Sequence, residues 1–513
     1  MGGQLPRRES DSQTPKAASF SFARAFQAAI IAFLLGIFVG SSVPSLGIVL
    51  PLFLCFVAIA IAGLFQTRTS LYGAGVFCFL ALGILLGAEA QARWDHARDP
   101  IEVSGVADIV RKPESREYAH IASVRLVSCS SHQCPEELIE VRFPLLSSIE
   151  YGERGSFTCT LEPPDEEWRM WHAARGIGYR CRDPEWERIG STRPVRRALL
   201  SVSSRFEDAI MRHLPEPESG LAAGLLLGGD RRLPETVREE FRDAGLTHIV
   251  AVSGFNISII AEYFLIIGIV LTLPRRRAAI FSLMATGAFV FIAGAPPSAV
   301  RALGMAGTLM LAHWLGRRYE SLWALLFVAA VMLVGNPLLL RHDVGFQLSF
   351  LATAGIVLSM PIIARVIRNV PKLLAPFFEA FMLTIAANLL LIPVLLSVFG
   401  KFVPTAIPAN TALLPFVPLS MLLSFLVGLF GMFSSALGTI AAFPAYAALH
   451  VIIEGARLSA HLGDTAIETE HLGWWIGVLW YGVLAWIFYR LRRSHRSDEG
   501  IKKSQSRDRG ISR

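Results

Sequence analysis

Residues 380–399 decide the fold: AFMLTIAANLLLIPVLLSVF is a run of twenty residues without a charged side chain. A helix of about twenty apolar residues is long enough to cross the hydrocarbon core of a bilayer. Similar runs recur through the 513-residue chain, which is 53% hydrophobic and only 17% charged, against about 25% charged in soluble domains. The sequence therefore excludes a cytosolic globular enzyme, a disordered chain and a coiled coil, and predicts a polytopic α-helical membrane protein.

The apolar runs predict about twelve transmembrane helices. Basic residues gather in alternate loops, such as Arg275–Arg277 and Arg317–Arg318, and this alternation places both termini in the cytoplasm. A cleaved signal peptide is the alternative for the first run, but a second run follows almost at once. The expected spans are 25–43, 46–65, 71–92, 247–273, 278–296, 298–315, 321–340, 344–364, 376–399, 408–430, 432–453 and 473–489.

The same patterns divide the chain into six segments. In order, these are a cytoplasmic tail at 1–24, three transmembrane helices at 25–92, an extracytoplasmic β domain at 95–190, amphipathic linker helices at 191–245, a second transmembrane domain at 247–489 and a basic cytoplasmic tail at 490–513.

The segment 95–190 is charged and has no run long enough to span a membrane. Its short alternating stretches at 101–110, 120–128, 138–143 and 155–161 predict strands. A small β-barrel of the OB type fits this size and strand number, and a sandwich remains an alternative.

Four of the six cysteines fall in this segment. Oxidising conditions outside the membrane permit disulfides, so we expect Cys129 to pair with Cys134 and Cys159 with Cys181. Four free thiols are the alternative. Zinc binding by these cysteines is a weaker alternative, because no C-x-x-C pair occurs.

Several energy-coupling and metal-hydrolase motifs are absent from the sequence. It contains no G-x-x-x-x-G-K-[ST] loop for ATP, no H-E-x-x-H and no H-x-H pair. The sequence predicts no cofactor and no metal, and favours a conduit or binder over a self-powered pump or a nuclease.

Polar residues within apolar spans are costly and mark candidate functional positions. Each also has a structural interpretation: His248 caps a helix, Arg301 reaches lipid headgroups, and the amides before prolines satisfy freed carbonyls. In the structural interpretation of Asp343, it forms an ordinary loop pair with Arg341. The candidates are Asp230, Arg231, His248, Ser253, Asn256, Arg301, Asp343, Gln347, Asn388 and Asn410.

Three sequence blocks resemble the ComEC-type competence proteins, the inner-membrane channels for DNA uptake in transformation. The most distinctive runs from Asn336-Pro337 through Asp343 to Phe350, and a second is Arg301-Ala302 after Pro296. The resemblance covers about residues 200–460. The remaining block comprises Gly224–Gly229 with Asp230, then Phe241, Gly245, Leu246, His248, Ser253 and Gly254.

The resemblance implies a channel that passes single-stranded DNA, with the ten polar candidates lining its path. It also implies membrane lipid and other competence proteins as partners: a DNA receptor, a cytoplasmic ATPase or helicase and a separate nuclease. A homo-oligomer is a further expectation. Longer members carry a C-terminal metallo-β-lactamase-like domain, whose histidine-aspartate cluster is missing here, so we expect no enzyme activity.

Aromatic and basic residues of the segment 95–190 offer single-stranded DNA a stacking surface, with a place in the domain core as the alternative. The aromatic candidates are Trp94, Tyr118, Phe143, Tyr151, Phe157, Trp168, Trp171 and Tyr179.

Two other functions compete with DNA passage. One is a transporter of another polar or lipid-linked substrate on the same scaffold. The other is an intramembrane hydrolase that uses Ser253 and His248, which is weaker because residues five apart do not face each other on a regular helix.

Overall fold

The computed structural model describes residues 16–43, 51, 54–55, 68–95, 99–111, 113–116, 119–130, 134–145, 147, 149, 151–191, 194–228, 233–250, 253–462, 466–469, 475–488 and 490. Most of the expected span 46–65 and of both tails lies outside these residues. The chain divides into two compact units. The first contains residues 1–198 and 304–347, and the second contains residues 199–303 and 348–513.

The described residues form mainly helices. In chain order these are α1 Lys16–Ser42, α2 Arg68–Asp95, α3 Glu166–Ala174, α4 Pro194–His213, α5 Glu218–Leu227, α6 Glu235–Asp243, α7 Thr247–Val250, α8 Gly254–Val270, α9 Arg275–Ile292, α10 Pro297–Trp314, α11 Ser321–Gly335, α12 Leu339–His342, α13 Val344–Ile367, α14 Ala375–Phe399, α15 Ala406–Leu413, α16 Phe416–Phe433, α17 Ser435–His461 and α18 Trp475–Phe488.

In the part of the chain that the structure describes, seven candidate segments are long and apolar enough to cross a membrane, which agrees with a polytopic membrane protein; one of them, Thr247–Val270, contains the two helices α7 and α8. The count of twelve stays a prediction. The expected span 408–430 is interrupted, because α15 ends at Leu413 and α16 begins at Phe416. The seven are Arg24–Ser42, Tyr72–Asp95, Thr247–Val270, Val344–Ile367, Ala375–Phe399, Phe416–Phe433 and Ser435–His461.

Helices α1 and α2 of the first unit pack backbone against backbone. Gly36 and Gly40 on α1 face Gly83 and Gly87 on α2, and a Cβ added at any of the four would come within 3.0 Å of the other helix's main chain. Small residues four apart allow this close approach, which is how helices associate in lipid without a hydrophobic driving force.

Replacing Gly83 by Val should separate these two helices. Overpacking of this kind costs about 1–3 kcal/mol, so Gly83→Val should lower the melting temperature of the detergent-purified protein. Gly75→Val on the same helix is the matched control, since the space beside Gly75 is open. Equal melting temperatures for the two variants would contradict this packing.

Strands of the first unit form one mixed sheet. The order is β6-β4-β3-β1-β5-β7, with β2 paired to β3 and only the β4–β6 pair parallel. A bridge between Glu162 and Arg180 joins the end of β5 to β6, so five strands follow a circuit β1-β3-β4-β6-β5-β1. The strands are β1 Ile101–Ile109, β2 Glu114–Arg116, β3 Ala119–Cys129, β4 Leu138–Phe143, β5 Glu153–Leu161, β6 Ile177–Cys181 and β7 Glu185–Ser191.

Buried apolar residues alternate with more exposed ones along these strands, and the buried ones form a small core. Val103, Phe143 and Phe157 are fully buried between the strands. On the outer side, Arg154 donates two hydrogen bonds to Asp108, its cross-strand neighbour, at 2.6 and 2.9 Å. These bonds raise the pKa of the Arg154 guanidinium, and they hold β1 and β5 in the register that places Asp108 opposite Arg154.

Both expected cysteine pairs are joined in the structure. Cys129 and Cys134 lie 6.0 Å apart at Cα, and Cys159 and Cys181 lie 6.3 Å apart. The second bridge ties β5 to β6, the same two strands that the Glu162–Arg180 bridge connects.

We expect mass spectrometry of the non-reduced protein to recover linked peptides for both pairs. Loss of a native bridge from a small domain costs about 2–5 kcal/mol, so Cys159→Ala should destabilise the sheet. Cys78→Ala is the control, because Cys78 is a free cysteine on α2. Recovery of four free thiols from freshly isolated membranes would show that neither disulfide forms.

The second unit has a core made by the linker helices and the last membrane helices. Leu221 and Leu225 of α5 are fully buried, as are Met421 of α16 and Leu449 of α17. The short helix α5 is thus an internal element of this unit, and it brings backbone carbonyls next to α8. A two-stranded ladder of β8 Lys401–Phe402 and β9 Ile467–Glu468 lies in the same unit.

Candidate polar site within the membrane helices

Arg301 lies in the second turn of α10, which begins at Pro297. Its side chain is largely buried, with 9% of the residue exposed, and Nε donates a hydrogen bond to Ser349 Oγ of α13 at 2.7 Å. The guanidinium Nη2 lies against Gly254, where a Cβ would occupy its place. Glycine is therefore required at the start of α8 if Arg301 is to keep this position.

The start of α8 is capped by its own side chains. Ser253 has an extended backbone, and its Oγ accepts a hydrogen bond from Asn256 N at 3.2 Å. Asn256 is only 2% exposed, and its Nδ2 donates to the carbonyl of Leu225 on α5 at 3.4 Å. Asn256 thus ties the start of α8 to the C-terminal turn of α5.

Two sources of positive potential meet at this place. The N-terminus of a helix carries a partial positive charge from its unpaired N–H groups, and the Arg301 guanidinium lies beside Gly254, the first residue of α8. Helix N-termini are favourable places for phosphate and other anions, so the pair forms a cationic centre within the apolar second unit.

A chain of hydrogen bonds forms a second polar group in this unit. His248 Nε2 is 3.2 Å from Asn410 Oδ1, and Asn410 Nδ2 donates to Thr384 Oγ1 at 3.2 Å. Asn388, one turn further along α14, donates to the Thr384 carbonyl at 2.9 Å. The structure therefore brings together three of the candidates, His248, Asn388 and Asn410, around a threonine that was not among them.

The carbonyl freed by Pro393 has a different partner from the one considered above. A proline at this position removes the hydrogen bond to the Leu389 carbonyl four residues earlier, and Trp480 Nε1 of α18 donates to that oxygen at 2.8 Å. Asn388 instead bonds within its own turn. The interpretation that Asn388 satisfies the carbonyl freed by Pro393 is therefore wrong.

Asp343 and Gln347 belong to the first unit. Asp343 precedes α13, and its Oδ1 accepts a hydrogen bond from Phe346 N at 2.7 Å. Gln347 Nε2 donates to the carbonyls of Leu340 and Arg341 at 3.1 and 2.8 Å. Both side chains therefore hold the junction between α12 and α13.

The aromatic candidates differ in their exposure. Phe143, Phe157 and Tyr179 are buried in the core between the strands, so they offer no stacking surface. Trp168 on α3 is 50% exposed. Tyr118 lies outside the described residues.

Asp230 and Arg231 also lie outside the described residues. Ser253 and His248 do not bond each other: Ser253 bonds Asn256, and His248 bonds Asn410. Within the described part of the chain, no group of three His, Cys, Asp or Glu residues is placed to hold a metal ion.

Thr384 and Trp480 are polar partners that sequence reasoning missed, and Ser349 was not expected to be the partner of Arg301. Ser349 was within the sequence block from Asn336 to Phe350, and Thr384 lies one helical turn before Asn388. Trp480 gave no signal, because the contact joins residues 91 positions apart in the chain.

The apolar helices and the polar groups between them define a polytopic α-helical membrane protein. A sequence model of the family described as competence protein matches residues 225–494, more than half of the chain. The chain belongs to the competence protein family.

A curated relative is similar to part of the chain. ComE operon protein 3 of Bacillus subtilis (strain 168) is 28% identical over 218 residues, which is 42% of this chain and 27% of that protein. The aligned part thus covers about a quarter of the relative's length. No solved structure matches the chain significantly.

Proposed function

We propose that the protein is a channel that passes single-stranded DNA across the bacterial cytoplasmic membrane during natural transformation. The observation that carries the proposal is Arg301, a buried cation on α10 that lies beside the N-terminus of the apolar helix α8. Membership of the competence protein family supports it.

Arg301 supplies the chemistry that a phosphate backbone needs. A guanidinium is always charged and has five N–H donors in a planar fork. Its Nε donates to Ser349 Oγ, which helps to orient the fork. In the proposal, the guanidinium meets the phosphates of the passing strand in turn, and the positive end of the α8 dipole adds to the attraction.

The hydrogen-bonded group around Thr384 supplies polar side chains that are not fixed cations. His248, Asn410 and Asn388 carry no fixed negative charge and can donate to or accept from the edges of unpaired bases. Ser253 and Asn256 shape the start of α8. Asp343 and Gln347 have a positioning role in this proposal, since the backbone at the α12–α13 junction already uses their hydrogen-bonding groups. Asp230 and Arg231 keep their place on the proposed path.

The β domain is proposed to be OB-like and extracytoplasmic. The circuit β1-β3-β4-β6-β5-β1 is a five-stranded barrel order with one parallel pair, which suits an OB fold. Its two disulfides fit an oxidising compartment. The proposed topology keeps twelve spans with both termini in the cytoplasm, and the proposed partners remain a DNA receptor, an ATPase or helicase, a separate nuclease and a homo-oligomeric copy.

A transporter of another polar or lipid-linked substrate is the second candidate, since the same cation would bind any phosphate-bearing molecule. The hydrolase has less support, because Ser253 serves as a helix cap and His248 bonds an amide. A channel without enzyme activity therefore accounts for the site best.

We expect Arg301→Ala to reduce uptake of labelled DNA by at least about tenfold, the factor that 1.4 kcal/mol represents. The reason is the loss of the buried cation. Arg301→Lys should retain part of the uptake if charge alone matters, and little if the planar fork is required. Uptake and membrane abundance are measured on the same strains.

Arg276→Ala is the control for loss of one positive charge, because Arg276 is exposed in the first turn of α9. Normal uptake by an Arg301→Ala protein of parental abundance would show that this residue is structural. Uptake of a phosphate-bearing solute instead of DNA would favour the transporter.

A further inference from the structure

Helix α3 belongs in sequence to the β domain, yet it packs on the candidate membrane helix α2 and on Leu338 after α11. Its buried Ala173 and Ala174 lie against Leu338, with Ala90 and Trp94 of α2 beside them. Helix α2 is a candidate membrane span that ends at Asp95. The contacts therefore place α3 at the end of a membrane span within the first unit.

Hydrogen bonds hold the C-terminal end of α3 in this place. Asn336, the residue after α11, donates from Nδ2 to the Ala174 carbonyl at 2.7 Å. Arg111 Nη2 donates to the Arg175 carbonyl at 2.8 Å. Since the last carbonyls of a helix lack partners within it, these two bonds fix α3 to the end of α11 and to the sheet.

The other side of α3 carries aromatic and cationic groups. Trp168 is 50% exposed and meets Trp171 edge-on, with ring centroids 6.1 Å apart. The Arg175 guanidinium lies 3.4 Å from the centre of the Trp171 ring. Trp94, in the last turn of α2, adds a third indole at the same end of that span.

We propose that α3 lies in the headgroup layer of the bilayer, where Trp168 inserts among the lipids and Arg175 binds phospholipid phosphates. Tryptophan favours this layer because its ring is apolar and its N–H is polar, and arginine reaches the phosphates while its stem stays on apolar surface. The inference concerns lipid and stands whatever the channel conducts.

A nucleic acid is the other occupant that exposed tryptophans could accept. Glu166 and Glu167 begin α3 and are both exposed. Their charges oppose the unbroken line of phosphates on DNA, whereas a headgroup layer offers amines as well as phosphates. The position at the end of α2 favours the same choice.

The test uses the full protein in nanodiscs of phosphatidylethanolamine and phosphatidylglycerol, with Cys55 and Cys78 replaced by Ala. A nitroxide is attached at Trp168→Cys and, as the control, at Ile189→Cys on the exposed side of β7. We expect the ratio of oxygen to nickel-chelate accessibility at 168 to exceed that at 189 severalfold.

A second measurement, of tryptophan fluorescence, uses the protein without a spin label, so Trp171 and Arg175 keep their native surroundings. Brominated lipids should quench tryptophan fluorescence, and Trp168→Phe should reduce the quenched fraction more than Trp186→Phe, which changes a ring packed on the sheet core. Equal aqueous accessibility at 168 and 189 would overturn the proposal. Immobilisation of the label at 168 by a single-stranded oligonucleotide, without lipid contact, would overturn it in favour of a nucleic-acid surface.

Discussion

The rest of the structure depends on one constraint: a charged, imidazole or amide side chain inside an apolar helix bundle needs a hydrogen-bond partner there, because lipid offers none. Arg301 has Ser349 as its hydrogen-bond partner, and His248 and Asn410 are partners of each other. Each partner lies on a different helix. The same bonds that satisfy these groups therefore fix how the helices of the second unit are arranged.

Close backbone contact is the second consequence of placing helices in lipid. The four glycines between α1 and α2 leave no room for a side chain, and dispersion between main chains replaces the hydrophobic effect. Where a proline removes a helical bond, a neighbouring helix compensates, as Trp480 does for the Leu389 carbonyl.

The sequence predicts local features well. Strand 138–143 has the expected limits, and long apolar runs such as Ala375–Phe399 are helical, because both depend on neighbouring residues along the chain. It does not predict the break at Pro415 within the expected span 408–430, since proline is tolerated in many membrane helices. It also does not predict Ser349 as the partner of Arg301, because that choice depends on how α10 and α13 pack.

In the proposed function, DNA passes the N-terminus of α8 beside Arg301. Phe255 and Phe443 are both exposed phenylalanines, on α8 and α17. The most direct measurement replaces each in turn by p-benzoylphenylalanine and irradiates cells that are taking up labelled DNA. We expect DNA to be cross-linked to the protein from position 255 and not from position 443. Equal cross-linking at both positions, or none at 255 while uptake proceeds, would contradict this expectation.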